Sequence, residues 1–344
     1  MTPLRAAIIG CGLYGRAHAA RLLAMPAEVQ LVACYDHKAE NAEAYSREFG
    51  GVAYTDTERM FAAMDLNLAY ICLPPFAHAN EVEQACRHGV HFLIEKPIAL
   101  TLERAQAMAA LVQASGVRTQ VGFQFRHGVA VRWLRQYIAD QAVDGRGYMT
   151  ARYACNSLHR WWWRDRTRSG GQVFEQITHL LDLARYLFGE PAQVFSMQAN
   201  LFHRDVPGYT VEDASATTIR FRSGALATIA ATNGAIPERW DSDWRVVLPG
   251  VTADFTSANA ATIYHTAAAP SAAATLHNMV APSSTEAIAS DADLIMAVTR
   301  DLLVAIRDQR DTLCPIEEGV RSLHLGLAAM QSADSGLPVN MPAI

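Results

Sequence analysis

The chain has little of what several specialised protein classes require. Its six cysteines, at 11, 34, 72, 86, 155 and 314, are scattered over 344 residues with no C-x-x-C pair. That pattern excludes a disulfide-built scaffold, and the spacing fits no metal site, so none is expected. The cysteines read as reduced, mostly buried thiols of an intracellular protein. An excess of basic residues is missing too: the net charge is −5, which argues against a nucleic-acid partner. No apolar run reaches the ~20 residues that a membrane helix needs. The N-terminus leads into a strand-like run with no h-region or cleavage site. No internal repeat is present. These absences point to a cytoplasmic globular protein with no membrane contact. What is present is a 51% hydrophobic chain, enough for a sizeable core, at a length that suggests about two domains.

The most informative stretch is Arg5-Ala6-Ala7-Ile8-Ile9-Gly10-Cys11-Gly12-Leu13-Tyr14-Gly15, an apolar run leading into Gly-x-Gly-x-x-Gly. The Ala- and Leu-rich segment from Arg16 to Met25 behind it reads as a helix. Gly10 suits the tight turn, Gly12 lets backbone approach a pyrophosphate, and Gly15 lets helix and strand pack closely. Leu13 and Tyr14 fill the turn and join this group. The next β-like run, Val29 to Tyr35, ends in Asp36, an acid placed about 20 residues past the glycines, as a ribose hydroxyl pair requires. Asp36 favours NAD; His37 and Lys38 after it leave NADP as the alternative.

Strands and helices then alternate. Leu68 to Leu73 is a buried strand closed by Pro74-Pro75, His78 to His88 is helical, and Val90 to Ile94 is a strand followed by Glu95-Lys96-Pro97. Thr101 and Gly116 bracket a helix as N-cap and C-cap, and Val117 to Phe123 is a last strand. Alternation with long apolar strands predicts a doubly wound parallel sheet covered on both faces. Ligands of such sheets sit beyond the carboxyl ends of the strands, where Gly12, Asp36, Pro74, Pro75, Glu95, Lys96 and Gln124 converge.

Past Gln124 the pattern changes. Phe125 to Ala139 reads as a linking helix and Gly147 to Cys155 as a strand. A helix is predicted from about Gln172 to Phe188, followed by hairpins around Arg222-Ser223-Gly224 and Pro249-Gly250. Ser257 to Ser290, rich in Ala, Ser and Thr, reads only as weak strands and loops. Two helices, about Ala292 to Arg307 and Ile316 to Ser332, finish the chain. The expected architecture is an α/β Rossmann domain over residues 1–123. An α+β domain with a large, mainly antiparallel open sheet follows over 124–344.

On a helical wheel, Glu175, His179, Asp182 and Tyr186 share the side opposite Val173, Ile177, Leu180, Ala184 and Phe188. That is the pattern of any surface helix, but Gly170-Gly171 immediately upstream suit close approach to a ligand. Trp161-Trp162-Trp163-Arg164 offers aromatic faces for the C–H surface of a sugar ring and a guanidinium for hydroxyls or a carboxylate. Trp163 and Arg164 are taken as the substrate wall, with anchoring of a loop as the competing reading. Arg126 joins the substrate group.

Several of these motifs together resemble the glucose–fructose oxidoreductase / inositol dehydrogenase (Gfo/Idh/MocA) family. They are Gly10-x-Gly12-x-x-Gly15, Leu73-Pro74-Pro75-x-x-His78, Glu95-Lys96-Pro97 with Ala99-Leu100-Thr101, and Val121-Gly122-Phe123-Gln124. The resemblance runs nearly end to end. It implies a nicotinamide-dependent enzyme acting on a sugar, cyclitol or related polyol, and a cis Lys96–Pro97 peptide that aims Lys96 inward. It also implies oligomer contacts through the outer face of the second sheet, giving a homodimer or homotetramer. Leu73, Pro74, Pro75, His78, Glu95, Lys96 and Gln124 then belong to the cofactor site. The 170–182 segment is similar to the family's Gly-Gly-x-x-x-Asp-x-x-x-His-x-x-Asp, with Glu175 where the family usually has Asp.

The reaction transfers a hydride to the cofactor while a protein group takes the hydroxyl proton. A free Lys, near ~10.4, would have to fall by about three pH units, ~4 kcal/mol, whereas a His near ~6.5 needs almost nothing. His179 is therefore assigned the proton, Lys96 the developing negative charge, and Glu175 the orientation of the imidazole or sugar. Two other outcomes are consistent with these motifs. One is an enzyme that keeps NAD bound and recycles it, as a two-substrate oxidoreductase or a glycoside-cleaving relative. The other is a non-catalytic sugar or NAD sensor on the same fold.

Overall fold

The computed structural model describes residues 2–141, 143, 145–266 and 284–342. In chain order the first elements are β1 Leu4–Ile9, α1 Leu13–Leu23, β2 Val29–Tyr35, α2 Ala39–Phe49, β3 Val52–Tyr54 and α3 Thr57–Ala63. Then come β4 Leu68–Ile71, α4 Glu81–Arg87, β5 His91–Ile94, α5 Leu102–Ser115, β6 Thr119–Val121 and α6 Val129–Asp140. They are followed by β7 Tyr148–Cys155, α7 Arg166–Ser169, α8 Gln172–Glu175, α9 Thr178–Phe188, β8 Pro191–Ala199, β9 Ala214–Phe221 and β10 Leu226–Thr232. The chain closes with β11 Trp240–Leu248, β12 Val251–Ser257, β13 Ala260–His265, β14 Ser284–Ile288, α10 Leu294–Asp308, α11 Ile316–Ser335 and β15 Val339–Asn340. Within the unassigned stretch 257–290, β13 and β14 pair with each other; residues 267–283 lie outside the described residues. The chain divides into two units, residues up to Phe123 with Ile295–Leu323, and Gln124–Leu294 with the residues from His324 on.

The first unit is a six-stranded sheet in the order β3-β2-β1-β4-β5-β6, and all its pairings are parallel. Ile8, Ile9, Leu68, Tyr70, Ile71, Leu93 and Ile94 are buried, as strands covered on both faces must be. Leu22 and Tyr45 share one core with Ile8, Leu68, Tyr70 and Leu93, and α10 contributes Leu302 and Leu303 to it. Each such aliphatic side chain contributes about 1.5–3 kcal/mol by leaving water. The caps of α5 are those the sequence predicts. Thr101 Oγ1 accepts from Arg104 N–H at 3.2 Å, a cap worth about 1 kcal/mol. Gly116 takes the left-handed φ of +72° that lets its N–H close on Val112 O.

The second unit carries a nine-stranded sheet in the order β14-β13-β12-β11-β7-β10-β9-β8-β15. Both predicted hairpins form, β9 with β10 and β11 with β12. All neighbours are antiparallel except β7 and β10, which run parallel. Side chains alternate across the sheet. One face buries Met149, Ile219, Ile229, Trp244, Val246 and Phe255 with Leu134 of α6, Leu180 and Leu183 of α9, and Leu325 of α11. The opposite face holds the Arg152–Asp243 and Arg245–Asp254 pairs and a row formed by Val247, Tyr148 and Leu226, adjacent across three strands.

Two predicted helices are interrupted: that from Phe125 to Ala139 is a 3-10 turn, Gln124–His127, and then α6, parted at Gly128. The helix predicted from Gln172 to Phe188 is two helices, broken at Gln176–Ile177. Ile177 N–H reaches back five residues to Gln172 O at 3.1 Å, and Leu180 N–H reaches only three, to Ile177 O at 2.9 Å. The wider turn followed by the tighter one inserts a local irregularity that a 3.6-residue wheel does not contain.

Candidate active site

In the first unit, strand register builds the site. Ile9 pairs with Tyr35 on one side and Ile71 on the other, and Ile71 pairs with Ile94. The residues that follow stand in one row beyond the carboxyl ends: Asp36, Gly10, Cys72 and Glu95. Three strand spacings, about 14 Å, separate the ends of β2 and β5. The ladder closes the row: Gly10 N–H donates to Tyr35 O, Cys72 N–H to Ile9 O, and Glu95 N–H to Ile71 O, at 2.7–2.9 Å.

The three glycines of the turn stand in different surroundings. Gly10 has φ +101°, and a Cβ there would lie 2.6 Å from Cys72 O. A Cβ on Gly15 would lie 2.1 Å from Gly10 O, so only glycine lets α1 cross β1. Nothing lies within 4 Å of a Cβ on Gly12. The start of α1 carries no side-chain cap there, and Leu13 and Tyr14 flank it with 63% and 41% exposure. That open helix start fits the pyrophosphate of a dinucleotide.

At one end of the row, Asp36 Oδ2 accepts from Cys11 N–H at 3.3 Å and Oδ1 from Lys38 N–H at 3.0 Å. His37 Nδ1 is 3.3 Å from Oδ1, its ring largely exposed. Asp36 is held by the glycine turn itself, so its carboxyl could receive a ribose diol. Beyond β4, Leu73 packs against Gly10, Pro75 opens a single 3-10 turn, and His78 Nδ1 bonds Glu81 Oε1 at 2.5 Å. Burial alone would raise Glu81, but His78 and the Ala79 amide outweigh it and hold its carboxyl below the usual value. At the other end Glu95 is buried with its Oε1 2.9 Å from His18 Nε2. Half-buried Lys96 follows, and its peptide to Pro97 is cis.

In the second unit the candidate side chains gather around the helix break. Gly170 and Gly171 both have positive φ, +81° and +106°. A Cβ on Gly171 would lie 2.4 Å from Glu212 Oε2, so glycine admits a carboxyl that caps α8 by accepting from Val173 N–H at 2.8 Å. Burial pushes Glu212 up to about 7. Glu175 and His179 stay partly accessible while their neighbours are buried. Trp163, 3% exposed, donates its indole N–H to Glu175 Oε2 at 2.9 Å, so it anchors that carboxylate rather than offering an open face. Arg164 donates to the carbonyls of Leu158 and His159, tying its own loop.

Arg126 is 2% exposed and grips Asp182, which is 1% exposed, through Nε–Oδ2 at 2.8 Å and NH2–Oδ1 at 2.6 Å. Its guanidinium also lies over the Tyr186 ring at 4.9 Å. Phe125 lies 5.2 Å from the His179 ring, centre to centre, and 5.6 Å from that of Trp244. The polar side of α9 is thus not a solvated face: it packs on the turn Gln124–His127, of which Gln124 is the first residue.

Three residues were not marked by the sequence reading. His18 lies one helical turn past Gly15, a spacing that puts it on the buried face of α1. Glu212 sits in a loop without periodicity. His159 has φ +54°, its ring lies 4.2 Å from that of Trp163 at a tilt of 42°, and it bonds Gln176 Nε2 at 2.7 Å. Burial lowers it to about 4, which leaves it neutral. Cys155 beside it is pushed up to about 11 by burial, so its thiol is no nucleophile. Among the described residues no group of three or more His, Cys, Asp or Glu side chains could hold a metal. No helix among them is long and apolar enough to cross a membrane.

The chain is 27% identical over 241 residues, 67% of its length and 68% of the relative's, to glucose-6-phosphate 3-dehydrogenase of Bacillus subtilis (strain 168). It is 28% identical over 243 residues, 65% and 69%, to D-glucoside 3-dehydrogenase of Escherichia coli (strain K12). The fold of levoglucosan dehydrogenase, solved with NADH and levoglucosan, superposes with a TM-score of 0.86 over 99% of this chain and 100% of that one, at 21% identity. Residues 4–123 match the oxidoreductase family with an NAD-binding Rossmann fold and residues 131–253 its GFO/IDH/MocA C-terminal domain, and the chain belongs to this GFO/IDH/MocA family of NAD-dependent oxidoreductases.

Proposed function

We propose that the protein is an NAD-dependent dehydrogenase that oxidises a secondary ring alcohol of a sugar or related polyol to the ketone, reversibly. The observation that carries this reading is the row of Asp36, the open Gly12 turn, Leu73 and Lys96 along the carboxyl ends of adjacent parallel strands. Asp36 would hold the ribose hydroxyls and repel a 2′-phosphate, which makes NAD the preferred cofactor over NADP. When bound, NAD supplies the hydride acceptor. The chain supplies the rest. His179 takes the hydroxyl proton, and the Lys96 ammonium stabilises the negative charge that develops on the oxygen. Glu175, itself held by Trp163, keeps the imidazole oriented.

The names of the two relatives, both 3-dehydrogenases of glucose derivatives, support a pyranose substrate and make carbon 3 the first position to test. Self-association through the outer sheet face fits the exposed row of Val247, Tyr148 and Leu226. The test is a panel of glucosides, hexose phosphates, anhydrosugars, inositols and sugar acids, followed by NADH absorbance with NAD and with NADP. Turnover with at least one pyranoside supports the proposal. Purified protein that retains stoichiometric NAD and releases no NADH points to the cofactor-recycling alternative. No cofactor binding and no turnover would overturn the dehydrogenase reading.

A further inference from the structure

Glu95 immediately precedes Lys96, yet its carboxyl turns inward. Buried carboxylates are tolerated only with partners. Glu95 Oε1 meets His18 Nε2 at 2.9 Å, with the two side chains 10% and 1% exposed. The other oxygen lies against the backbone of Gly122, where a Cβ would stand 2.6 Å from Oε2. Gly122 N–H in turn donates to Ile94 O, and Glu95 N–H to Ile71 O, both at 2.9 Å. The His18 ring packs on the Tyr70 ring at 5.1 Å, and its Nδ1 finds no hydrogen-bond partner among the described residues. Of the two tautomers, the one with its proton on Nε2 donates to Glu95 and leaves no N–H buried without an acceptor.

Lys96 opens the bend that follows β5, directly after Glu95 and before the cis peptide to Pro97. Holding the Glu95 carboxyl between His18 and Gly122 fixes the backbone from which the Lys96 side chain departs, and keeps the carboxylate from folding back onto the neighbouring ammonium. His18 also belongs to the helix that starts at the Gly12 turn. We propose that His18 and Glu95 are a buried positioning pair that sets the placement of Lys96 and ties it mechanically to the dinucleotide-binding turn. The catalytic part of this inference rests on the role assigned to Lys96 above.

The chain offers a clean probe, because Lys38 and Lys96 are its only lysines. Reductive ¹³C-methylation of the whole protein followed by NMR gives one resonance for each, assigned with Lys96→Arg, and needs no sugar turnover. In His18→Leu the Lys96 titration midpoint should move by about half a pH unit or more and its resonance broaden or split, with Lys38 unchanged. If a substrate has been found, kcat of His18→Leu should fall about 10- to 100-fold while the KM for NAD stays within about twofold. His18→Gln, which keeps an N–H donor, should recover part of the loss. A folded His18→Leu with the wild-type Lys96 midpoint and line shape would overturn the proposal, whatever the sugar panel shows. Should His18→Leu not fold, Glu95→Ala and Glu95→Gln decide: the Ala variant should disperse the Lys96 resonance and the Gln variant keep it single. Identical Lys96 spectra for the two would overturn the pair.

Discussion

Replacing Asp182 by Asn separates two roles for Arg126. A substrate ligand must reach its ligand, whereas a structural cation must reach its counter-ion. The structure commits the guanidinium to two bonds with Asp182, at 2.8 and 2.6 Å, where neither residue is more than 2% exposed. Asn keeps the shape and one acceptor but removes the charge, leaving a guanidinium in a poorly solvated site. Breaking a buried pair from one side costs about 3–5 kcal/mol, a large part of the roughly 5–15 kcal/mol that holds a domain folded. For a unit of this size that is a fall in Tm of about 6–20 °C. The assay is thermal unfolding beside steady-state kinetics. The double change Arg126→Met with Asp182→Leu should recover most of the loss, because the apolar pair needs no desolvation of charge. A single variant with unchanged Tm and a large rise in KM for the sugar would refute the reasoning and return Arg126 to the substrate group.

The glycines of the turn should separate stability from binding. Gly15→Ala must push its Cβ into Gly10 O and should lower Tm sharply, while Gly12→Ala meets open space and should keep the fold but weaken NAD at least about tenfold. Equal loss of Tm in the two would contradict the division of roles. Glu212 provides a pH signature. Its folded pKa of about 7 lies above the ordinary 4.5 of a glutamate, so between the two the folded state holds a proton that the unfolded state has released. Stability therefore falls as pH rises from about 4.5 to 7, by roughly 3 kcal/mol at most. Glu212→Gln should raise Tm near pH 8 and give no gain near pH 4.5; a gain independent of pH would show that this carboxyl does not titrate as described. Asp36→Ala should narrow the preference for NAD over NADP in kcat/KM by about tenfold or more, and an unchanged ratio would remove Asp36 from the ribose site.

Local chemistry was legible in the sequence. Strand β2 matches its apolar run residue for residue, α5 carries the caps that Thr101 and Gly116 announce, and both hairpins turn at Arg222-Ser223-Gly224 and Pro249-Gly250. Each is decided by neighbours a few residues apart. The parallel pairing of β7 with β10 is decided by register across more than seventy intervening residues, which no local period encodes. The break at Gln176–Ile177 was hidden for another reason: its residues are good enough helix formers, and the irregularity comes from the Gln172 carbonyl taking two donors, Gln176 and Ile177. Trp163 invites two readings in the sequence, substrate wall or loop anchor, and its burial and indole bond to Glu175 follow from a fold that the Trp-rich run does not encode. Arg126 looked available because a guanidinium near a helix says nothing of a buried Asp182 56 residues away. His18 went unmarked because a histidine on the buried side of a helix looks like packing until its carboxylate partner is known.

The most direct measurement is single-turnover hydride transfer in His179→Ala, with NAD affinity determined on the same protein. The account predicts wild-type NAD affinity and a rate lower by about 10²–10⁴-fold, the share usually supplied by a general base. A variant that binds NAD normally and transfers hydride at the wild-type rate would contradict it.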